Sequence, residues 1–305
     1  MTARFEELTT FRLGGPCSRL IDCETPEALA EAMRELPSAG DAFVLIGGGS
    51  NLLVSDQGID ATVVRYRTET PRIRLGTDRV EVAGSTALDG LTRHLVEAGR
   101  EGLMCCTGIP GTVAGAIVGN AGAWGGQVSD VLESVMLMDR SGNLTEADPS
   151  TLAFSYRHSN LKERNDVVVS AVFRISKGDR GALEDERESI LVRRAERHPN
   201  LSHEPCIGSI FRNIEPTSAA DRRQAAGWFL EQAGAKEMKE GGAKVFARHA
   251  NIIVKCDDCS SQNVRDLAAR MAEAVREKFG INLVREVRYL GRFQGEQLEQ
   301  DNGFY

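Results

Sequence analysis

The chain reads Phe43-Val44-Leu45-Ile46-Gly47-Gly48-Gly49-Ser50-Asn51 where a short apolar run meets three consecutive glycines. An apolar run of this length predicts a buried strand. The glycines that follow leave successive backbone N–H groups unshielded, and such groups in a turn form a nest for an anion such as a phosphate. The same glycines also suit a plain tight turn, and the segment alone favours neither interpretation.

A second glycine-rich stretch runs from Gly108 to Gly126. Its small side chains would let a flat or anionic group lie against the backbone, although a close-packed loop or helix of glycine and alanine has the same composition. Neither stretch is a P-loop or the dinucleotide fingerprint G-x-G-x-x-G. Two such stretches in one block of the chain favour a dinucleotide cofactor.

Helices and strands alternate outward from these loops. Apolar periodicity and turn residues predict helices that begin at Thr25 and Thr86, a charged helix that ends near Pro199, and helices around Trp228 and from Val264 to Phe279. Strands are predicted at residues 43–46, 61–64, 79–83, 135–138, 167–175, 252–255 and 283–290. Composition shifts near residue 178, which predicts a domain boundary. The mixture indicates an α+β or α/β fold.

Composition limits the classes of function. The 305 residues predict about two domains, and 37 Lys+Arg against 44 Asp+Glu argue against nucleic-acid or membrane-surface partners. No apolar stretch approaches the ~20 residues of a membrane helix, and the first residues lack a signal-peptide pattern, so a cytoplasmic protein is expected. Seven cysteines are expected to be reduced. Cys256 and Cys259 form a lone CxxC, and no metal site is predicted.

Seven motifs together resemble those of the UDP-N-acetylenolpyruvoylglucosamine reductases, flavoenzymes that make UDP-N-acetylmuramate for peptidoglycan. They occur in the family's order, from about residue 9 to residue 293. The motifs are Thr9-Thr10-Phe11, Ile46-Gly47-Gly48-Gly49-Ser50-Asn51-Leu52, Gly108-Ile109-Pro110-Gly111-Thr112-Val113, Gly119-Asn120-Ala121-Gly122-Ala123, Tyr156-Arg157, Gly208-Ser209-Ile210-Phe211-Arg212-Asn213 and Glu286-Val287-Arg288.

The resemblance implies an α+β fold. An FAD-binding domain of the vanillyl-alcohol-oxidase or PCMH type, with two α+β lobes, is expected over residues 1–178, a substrate-binding α/β domain over 179–293, and a polar tail over 294–305. Non-covalent FAD and NADPH as co-substrate are implied. The implied cofactor-binding residues are Ile46, Gly47, Gly48, Gly49, Ser50, Asn51, Ile109, Pro110, Gly111, Thr112, Gly115, Asn120, Ala121 and Gly122.

Three residues match the family's catalytic positions. Arg157 would hold the developing enolate with its fixed donors, Ser209 would protonate the neighbouring carbon, and Glu286 would stabilise the enol intermediate or help to place its proton. Taken singly, an arginine is more often in a surface ion pair, a Gly-Ser in a turn or cap, and a glutamate in such a strand on the surface.

Substrate binding maps by resemblance onto five residues suited to a UDP pyrophosphate and a carboxylate. These are Arg197, Asn213, Lys236, His249 and Arg288. At two positions of this pocket the sequence departs from the family's usual pattern. Glu237 follows Lys236 where a compact residue is usual, and Ile214 rather than proline follows Asn213. The short spacing between the strand that ends at Ile175 and Pro199 leaves little room for the extra tyrosine loop of longer members, so the chain resembles the shorter class.

The implied function is NADPH-dependent reduction of UDP-N-acetylglucosamine enolpyruvate through FAD, a step of peptidoglycan synthesis and hence of cell-wall growth and division. A monomer whose partner is the UDP-sugar substrate is expected. Two alternatives stay open. One is another flavin oxidase or dehydrogenase of the superfamily, acting on a sugar alcohol or hydroxy acid. The other is a flavin- or UDP-sugar-binding protein without turnover, which would not need a proton donor at Ser209.

Overall fold

The computed structural model describes residues 3–39, 43–164, 166–216 and 221–295. These residues form two compact units. The first unit contains residues 3–17, 50–59 and the described part of 195–295, and the second contains the described part of 18–49 and of 60–194. Most of the predicted polar tail, residues 296–305, lies outside the described residues.

The elements are numbered in chain order. The α-helices are α1 (Phe5–Leu8), α2 (Pro26–Ala39), α3 (Leu88–Glu97), α4 (Val113–Val118), α5 (Arg180–Arg197), α6 (Ala226–Gln232) and α7 (Ser261–Phe279). The strands are β1 (Cys17–Cys23), β2 (Phe43–Ile46), β3 (Leu52–Val54), β4 (Ile59–Tyr66), β5 (Ile73–Leu75), β6 (Arg79–Ala83), β7 (Arg100–Glu101), β8 (Leu132–Met138), β9 (Leu144–Ala147), β10 (Val167–Arg174), β11 (Ser176–Lys177), β12 (Lys239–Glu240), β13 (Ala243–Phe246), β14 (His249–Lys255) and β15 (Arg288–Leu290).

In the second unit a three-stranded sheet, in the order β1-β4-β2, carries the first glycine loop at the end of β2. Strands β2 and β4 are parallel. Helix α2 starts at Pro26, whose fixed φ suits a first helical position. Its apolar residues Leu29, Met33 and Leu36 recur at helical spacing and are buried in one cluster with Leu45 of β2. This packing fixes the strand end from which the loop departs.

A five-stranded antiparallel sheet, in the order β5-β6-β10-β8-β9, forms the other part of the second unit. The apolar stripe of α3 is buried against it, with Leu91 and Leu95 in the same cluster as Val82 and Phe173. Helix α4 contributes Ile117 to that cluster. The second glycine loop is therefore attached to a packed helix and not to a free surface segment.

The first unit contains the antiparallel sheet β12-β13-β14 and the parallel pair β15-β3. Helices α6 and α7 share its core, in which Phe229, Leu267 and Ile253 are buried. Helix α7 begins with a capping box between Ser260 and Asn263. It ends at Gly280, whose positive φ is the usual helix C-terminal conformation of glycine.

Most elements predicted from the sequence occur, and the α+β fold class is confirmed. One strand prediction is wrong in length, because of the predicted span 283–290 only Arg288–Leu290 is a strand. The preceding residues change partner: Arg212 N donates to Val284 O and Glu286 N to Ile210 O, whereas Arg288 N donates to Asn51 O. No helix among the described residues is long and apolar enough to cross a membrane.

Candidate functional site

The two glycine-rich loops touch each other within the second unit. A Cβ atom placed on Gly47 would lie 2.5 Å from Thr112 Oγ1, and one on Gly48 would lie 2.9 Å from Gly111 Cα. Both distances are below any normal contact, so these two glycines are required by the approach of one loop to the other. The structure thus brings together the first halves of the two predicted cofactor loops.

Backbone and side-chain hydrogen bonds hold the second loop at the start of α4. Thr112 caps the helix by accepting from Gly115 N at 3.3 Å. On either side of it, Leu88 N donates to Gly111 O at 3.0 Å and Val113 N donates to Thr86 O at 2.9 Å. The loop is therefore fixed by its own chain neighbourhood, which is the requirement for a preorganised binding loop.

Asp89 anchors the beginning of this loop. Its Oδ1 accepts from Gly108 N at 2.6 Å, and its Oδ2 accepts from Arg187 Nη2 at 2.8 Å. Burial raises the pKa of Asp89, but the hydrogen bonds from Arg187 and Gly108 outweigh it and hold this pKa below its ordinary value. Sequence reasoning missed Asp89 and Arg187, because the two residues are far apart in the chain and each suits an exposed helix face.

Arg157 lies against the end of the second loop. Its Nη2 donates to Gly122 O at 2.6 Å, and its Nη1 reaches Asn120 O at 3.4 Å. Asn120 is fully buried and in turn donates from Nδ2 to Ser155 O at 2.9 Å. Both Arg157 and Asn120 have positive φ, an uncommon backbone conformation for such residues. The predicted catalytic arginine and two predicted cofactor residues are therefore held in one hydrogen-bonded cluster.

In the first unit the backbone holds Ser209 and Glu286 on neighbouring segments. Ser209 forms an isolated antiparallel bridge with Ile252 of β14, and Gly208 before it has φ +78°. Ile210 O, one residue after Ser209, accepts from Glu286 N at 2.8 Å. Two of the three predicted catalytic residues are thus brought together, both half-buried.

The buried side chain of Asn251 positions the Ser209 segment. Its Oδ1 accepts from Phe211 N at 3.0 Å and its Nδ2 donates to Phe211 O at 2.8 Å, so that its amide replaces a missing strand partner. It is only 3% exposed. Sequence reasoning missed Asn251. An asparagine next to the apolar run of β14 could have indicated it, because a buried polar side chain needs a hydrogen-bond partner.

Asn51 lies beside the segment that contains Glu286 and Arg288. Asn51 Nδ2 donates to Glu286 O at 3.2 Å, and Arg288 N donates to Asn51 O at 3.1 Å. Residue 51, predicted to bind cofactor, and residues 286 and 288, predicted to act on substrate, are therefore neighbours in the first unit.

A basic cluster surrounds His249. Burial lowers the pKa of His249, and the positive charges of Arg197 and Lys236 lower it further. Its Nδ1 accepts from Asn251 N at 3.2 Å, which places the proton of the neutral ring on Nε2. Arg197 and Lys236 thus each act electrostatically on His249, and the charges of these three predicted substrate residues suit an anion. Arg288, described above, lies on the Glu286 segment.

Asn213 has a structural partner. Its Oδ1 accepts from Ala226 N at 3.2 Å, at the first residue of α6. This bond fixes the orientation of the side-chain amide, whose nitrogen has two donors and whose oxygen has a second lone pair. Among the described residues, no group of three or more His, Cys, Asp or Glu side chains is arranged to hold a metal ion.

Comparison with known proteins identifies the family. Residues 17–148 match the model described as FAD binding domain, and residues 199–290 match UDP-N-acetylenolpyruvoylglucosamine reductase, C-terminal domain. The chain is 34% identical to the UDP-N-acetylenolpyruvoylglucosamine reductase of Synechococcus sp. (strain JA-3-3Ab) over 94% of its length and 89% of the relative's. It is 33% identical to the UDP-N-acetylenolpyruvoylglucosamine reductase of Bacillus subtilis (strain 168), over 93% of its length and 91% of that relative's.

The chain belongs to the UDP-N-acetylenolpyruvoylglucosamine reductase family. A crystal structure of the Thermus caldophilus UDP-N-acetylenolpyruvylglucosamine reductase is similar to it, with a TM-score of 0.79, 26% identity and coverage of 95% of this chain and 98% of the other. The resemblance inferred from the seven motifs is confirmed, and so is an FAD-dependent oxidoreductase with an FAD-binding domain of the predicted type.

The residues of the glycine loops fit FAD. The Gly115 Cβ position has a single neighbour, Thr112 Oγ1 at 3.5 Å, so this loop leaves open space where a side chain would otherwise lie. Small side chains and nearby backbone amides are what a pyrophosphate or a flat ring needs at close approach. Which individual residues contact the cofactor stays a prediction.

Proposed function

We infer that this protein reduces the enolpyruvyl group of UDP-N-acetylglucosamine enolpyruvate to give UDP-N-acetylmuramate, with FAD as cofactor and NADPH as co-substrate. Family membership over nearly the whole chain supports the reaction. The observation that carries the proposal within this molecule is that the second glycine loop touches the first at Gly111 and Thr112 and holds Arg157 at its other end, through Gly122.

Arg157 is proposed to stabilise the negative charge of the intermediate. The bound flavin supplies the hydride that reduces the enolpyruvyl double bond. The carbonyls of Asn120 and Gly122 fix the plane of the Arg157 guanidinium, which has five N–H donors in all. A guanidinium held in a fixed plane can present N–H donors to the enolate and carboxylate oxygens, and such fixed donors are effective where charge develops.

Ser209 is proposed as the proton donor and Glu286 as a second stabilising group. A serine hydroxyl is a weak acid, so it donates only to a strongly basic carbon such as that of an enolate. The bond between Glu286 N and Ile210 O keeps the carboxyl-bearing residue beside the Ser209 segment. A protonated Glu286 would donate a hydrogen bond to the enolate oxygen, whereas an ionised one would repel the enolate and could only accept from an enol O–H.

The basic cluster is proposed to bind the UDP diphosphate. Arg197 and Lys236 supply positive charge, and the neutral ring of His249 supplies an Nε2–H donor. Lys236 also pairs with Glu231 at 2.6 Å, so a bound diphosphate would compete with that carboxylate for the ammonium group. Arg288 is assigned to substrate binding by resemblance.

The remaining parts of the proposal rest on the resemblance and on the sequence. They are a cytoplasmic enzyme of peptidoglycan synthesis that serves cell-wall growth and division, a monomer, a preference for NADPH, and a division into an FAD-binding domain over residues 1–178 and a substrate-binding domain over 179–293.

An anaerobic visible spectrum tests the reaction. The flavin bands are expected to bleach with NADPH and to return on addition of UDP-N-acetylglucosamine enolpyruvate. In Ser209→Ala the bleaching is expected to persist while the return slows by about 10²–10⁴-fold, the usual contribution of a general acid. Ser202→Ala, which alters an exposed serine of the same unit, is the matched control and should behave like the parent.

Two outcomes would contradict the proposal. A protein that does not take up FAD would overturn the cofactor assignment in this chain. Bleached flavin that recovers with oxygen but not with the enolpyruvyl substrate would indicate a flavin oxidase.

A further inference from the structure

Two neighbouring thiols lie just before the second glycine loop. Cys105 and Cys106 end a short 3₁₀ turn, and their Sγ atoms are 3.8 Å apart. Cys106 is completely buried, whereas Cys105 is half-buried. Neither residue belongs to the cofactor, catalytic or substrate sets assigned above.

Cys105 lines a cavity of about 280 Å³ in the second unit, together with Trp124, Gly126 and Asp130. A Cβ atom on Gly126 would lie 3.1 Å from Cys105 Sγ, so the absence of a side chain at residue 126 leaves the thiol uncovered. The cavity has room for several water molecules, each of which occupies about 30 Å³ in the liquid. A small polar oxidant can therefore reach Cys105 but not the buried Cys106.

The two thiols differ in acidity. The hydrogen bond between them raises the pKa of Cys106, and burial raises it further. The same hydrogen bond lowers the pKa of Cys105, against the opposing effects of burial and of the Asp130 carboxylate. Negative charge therefore belongs on the more exposed sulfur, with the buried thiol as its donor. A thiolate is the nucleophilic form of cysteine.

We propose that Cys105 and Cys106 form a peroxide-reactive dithiol site, in which Cys105 attacks the oxidant and Cys106 closes a reversible disulfide. In the first step the Cys105 sulfur bonds to one peroxide oxygen, the O–O bond breaks, and the second oxygen leaves as water. In the second step the Cys106 sulfur displaces the hydroxyl group from Cys105 as water. Two thiols lose two electrons and two protons, and one hydrogen peroxide becomes two water molecules.

The geometry also explains why the disulfide would be reversible. Cα atoms of adjacent residues are about 3.8 Å apart across a trans peptide, shorter than the usual ~4.4–6.8 Å between bridged cysteines. Closure requires the two sulfurs to approach from 3.8 Å to about 2.05 Å within this short span. Strained disulfides of this kind are more easily reduced, which suits a labile site better than a structural cross-link.

The dithiol is coupled to the cofactor loop through the backbone. Cys106 O accepts from Ile109 N at 3.1 Å, and Ile109 is a predicted cofactor residue. The charge of Arg157 also acts on Cys106. The modification site therefore adjoins the second glycine loop, although its chemistry does not depend on the reductase reaction.

Peptide mass spectrometry of the full, flavin-bound protein tests the proposal. After treatment with a small excess of hydrogen peroxide and then alkylation in denaturant, which exposes the buried Cys106, the peptide containing Cys105 and Cys106 is expected to lose both alkylation sites and two hydrogens. Both sites should return after reduction with dithiothreitol. In Cys106→Ser, a sulfenic acid that dimedone traps should accumulate on Cys105, whereas Cys105→Ser should leave Cys106 unoxidised.

The double variant Cys256→Ser/Cys259→Ser is the matched control. It removes the CxxC pair, of which Cys256 is exposed and Cys259 half-buried, and should leave the response of residues 105 and 106 unchanged. The proposal is overturned if both thiols of the parent protein stay alkylatable after peroxide, or if Cys105 proceeds to sulfinic acid with Cys106 still reduced. Because these readings come from the parent protein, they hold whether or not a cysteine variant folds.

Discussion

The glycine-loop region of the second unit and the Ser209 region of the first unit are built in different ways. In the former, missing side chains at Gly47 and Gly48 allow two loops to touch. In the latter, Ser209 and Glu286 lie on irregular segments joined by single bridges and by the side chain of Asn251. The glycine region depends on the absence of side chains at Gly47 and Gly48, whereas the Ser209 region depends on Asn251, a hydrogen-bond partner distant in the chain.

This difference shows where each region is vulnerable. In the glycine region a Cβ atom added at Gly47 or Gly48 causes a clash, whereas in the Ser209 region removal of the Asn251 amide leaves buried backbone groups without a partner. Catalytic and positioning residues should consequently separate in experiment. A change at a catalytic residue should affect turnover alone, and a change at a positioning residue should affect stability as well.

The largest effect is expected from Arg157→Lys. Lysine retains the charge but not the planar set of donors that Asn120 O and Gly122 O hold in place. Loss of one well-placed donor to a developing oxyanion typically costs about 10²–10³-fold in kcat. Steady-state kinetics should show this loss in kcat in a variant that circular dichroism shows to be folded.

Arg93→Lys is the control for that substitution. Arg93 is an exposed arginine of α3 in the same unit, and its replacement should leave kcat within about two-fold, as expected for a surface residue. An Arg157→Lys enzyme with normal kcat would remove Arg157 from the catalytic set and leave it a structural role at the loop.

Asn251→Ala should have the next largest effect, in the other region. The substitution leaves Phe211 N and Phe211 O buried without their side-chain partners. An unsatisfied buried group costs about 1–3 kcal/mol, so a loss of about 2–4 kcal/mol in the free energy of unfolding is expected for the pair. Urea unfolding followed by circular dichroism measures it.

Asn282→Ala, at an exposed asparagine of the same unit, is the matched control and should change stability by less than about 0.5 kcal/mol. Turnover of Asn251→Ala should also fall under conditions in which the protein stays folded, because the segment with Ser209 loses its alignment. Equal stability of the two variants would show that Asn251 does not position the segment.

Gly48→Ala should have a smaller effect, confined to the glycine region. Its Cβ would meet Gly111 backbone atoms at 2.9 and 3.4 Å, and backbone yields less easily than a flexible side chain. Overpacking of this kind costs about 1–3 kcal/mol. We expect FAD affinity, measured by flavin fluorescence titration, to fall by about ten-fold or more, as 1.4 kcal/mol corresponds to a factor of ten.

Gly90→Ala is the matched control, because a Cβ there would make only ordinary contacts at 3.7 Å inside α3. Alanine is favoured over glycine in a helix interior, so this variant should be neutral or slightly stabilising. Unchanged FAD affinity in Gly48→Ala would mean that the two loops separate without cost and that their contact does not shape the cofactor site.

The glycine region could be predicted from the sequence better than the Ser209 region, because the glycine region depends on features that are local in the chain. Consecutive glycines and an apolar helix stripe are local signals, so β2, α2 and α3 could be placed from the sequence. Asn251 and Asp89 act through partners that a linear pattern does not reveal. The strand predicted over 283–290 was too long because its alternation does not show that the segment changes partner at residue 288.

The smallest effect, and the one with a pH signature, is expected from Asp89→Asn. The Asp89 carboxylate accepts from Gly108 N and from Arg187, and its side chain is 39% exposed, so solvent screening reduces the expected loss of stability at pH 7 to about 1 kcal/mol. Because folding lowers the pKa of Asp89 below 3.8, its contribution is complete above that pH and disappears as the pH falls further. Urea unfolding at pH 7, 5, 4 and 3 should show the free energies of unfolding of the parent and of Asp89→Asn converging only at the acid end. The control is Asp78→Asn, at a 75% exposed carboxylate, whose free energy of unfolding should not differ from that of the parent by more than about 0.5 kcal/mol. A gap between the parent and Asp89→Asn that stays constant down to pH 3 would show that the asparagine disturbs packing and that the charge of Asp89 does not anchor the glycine loop.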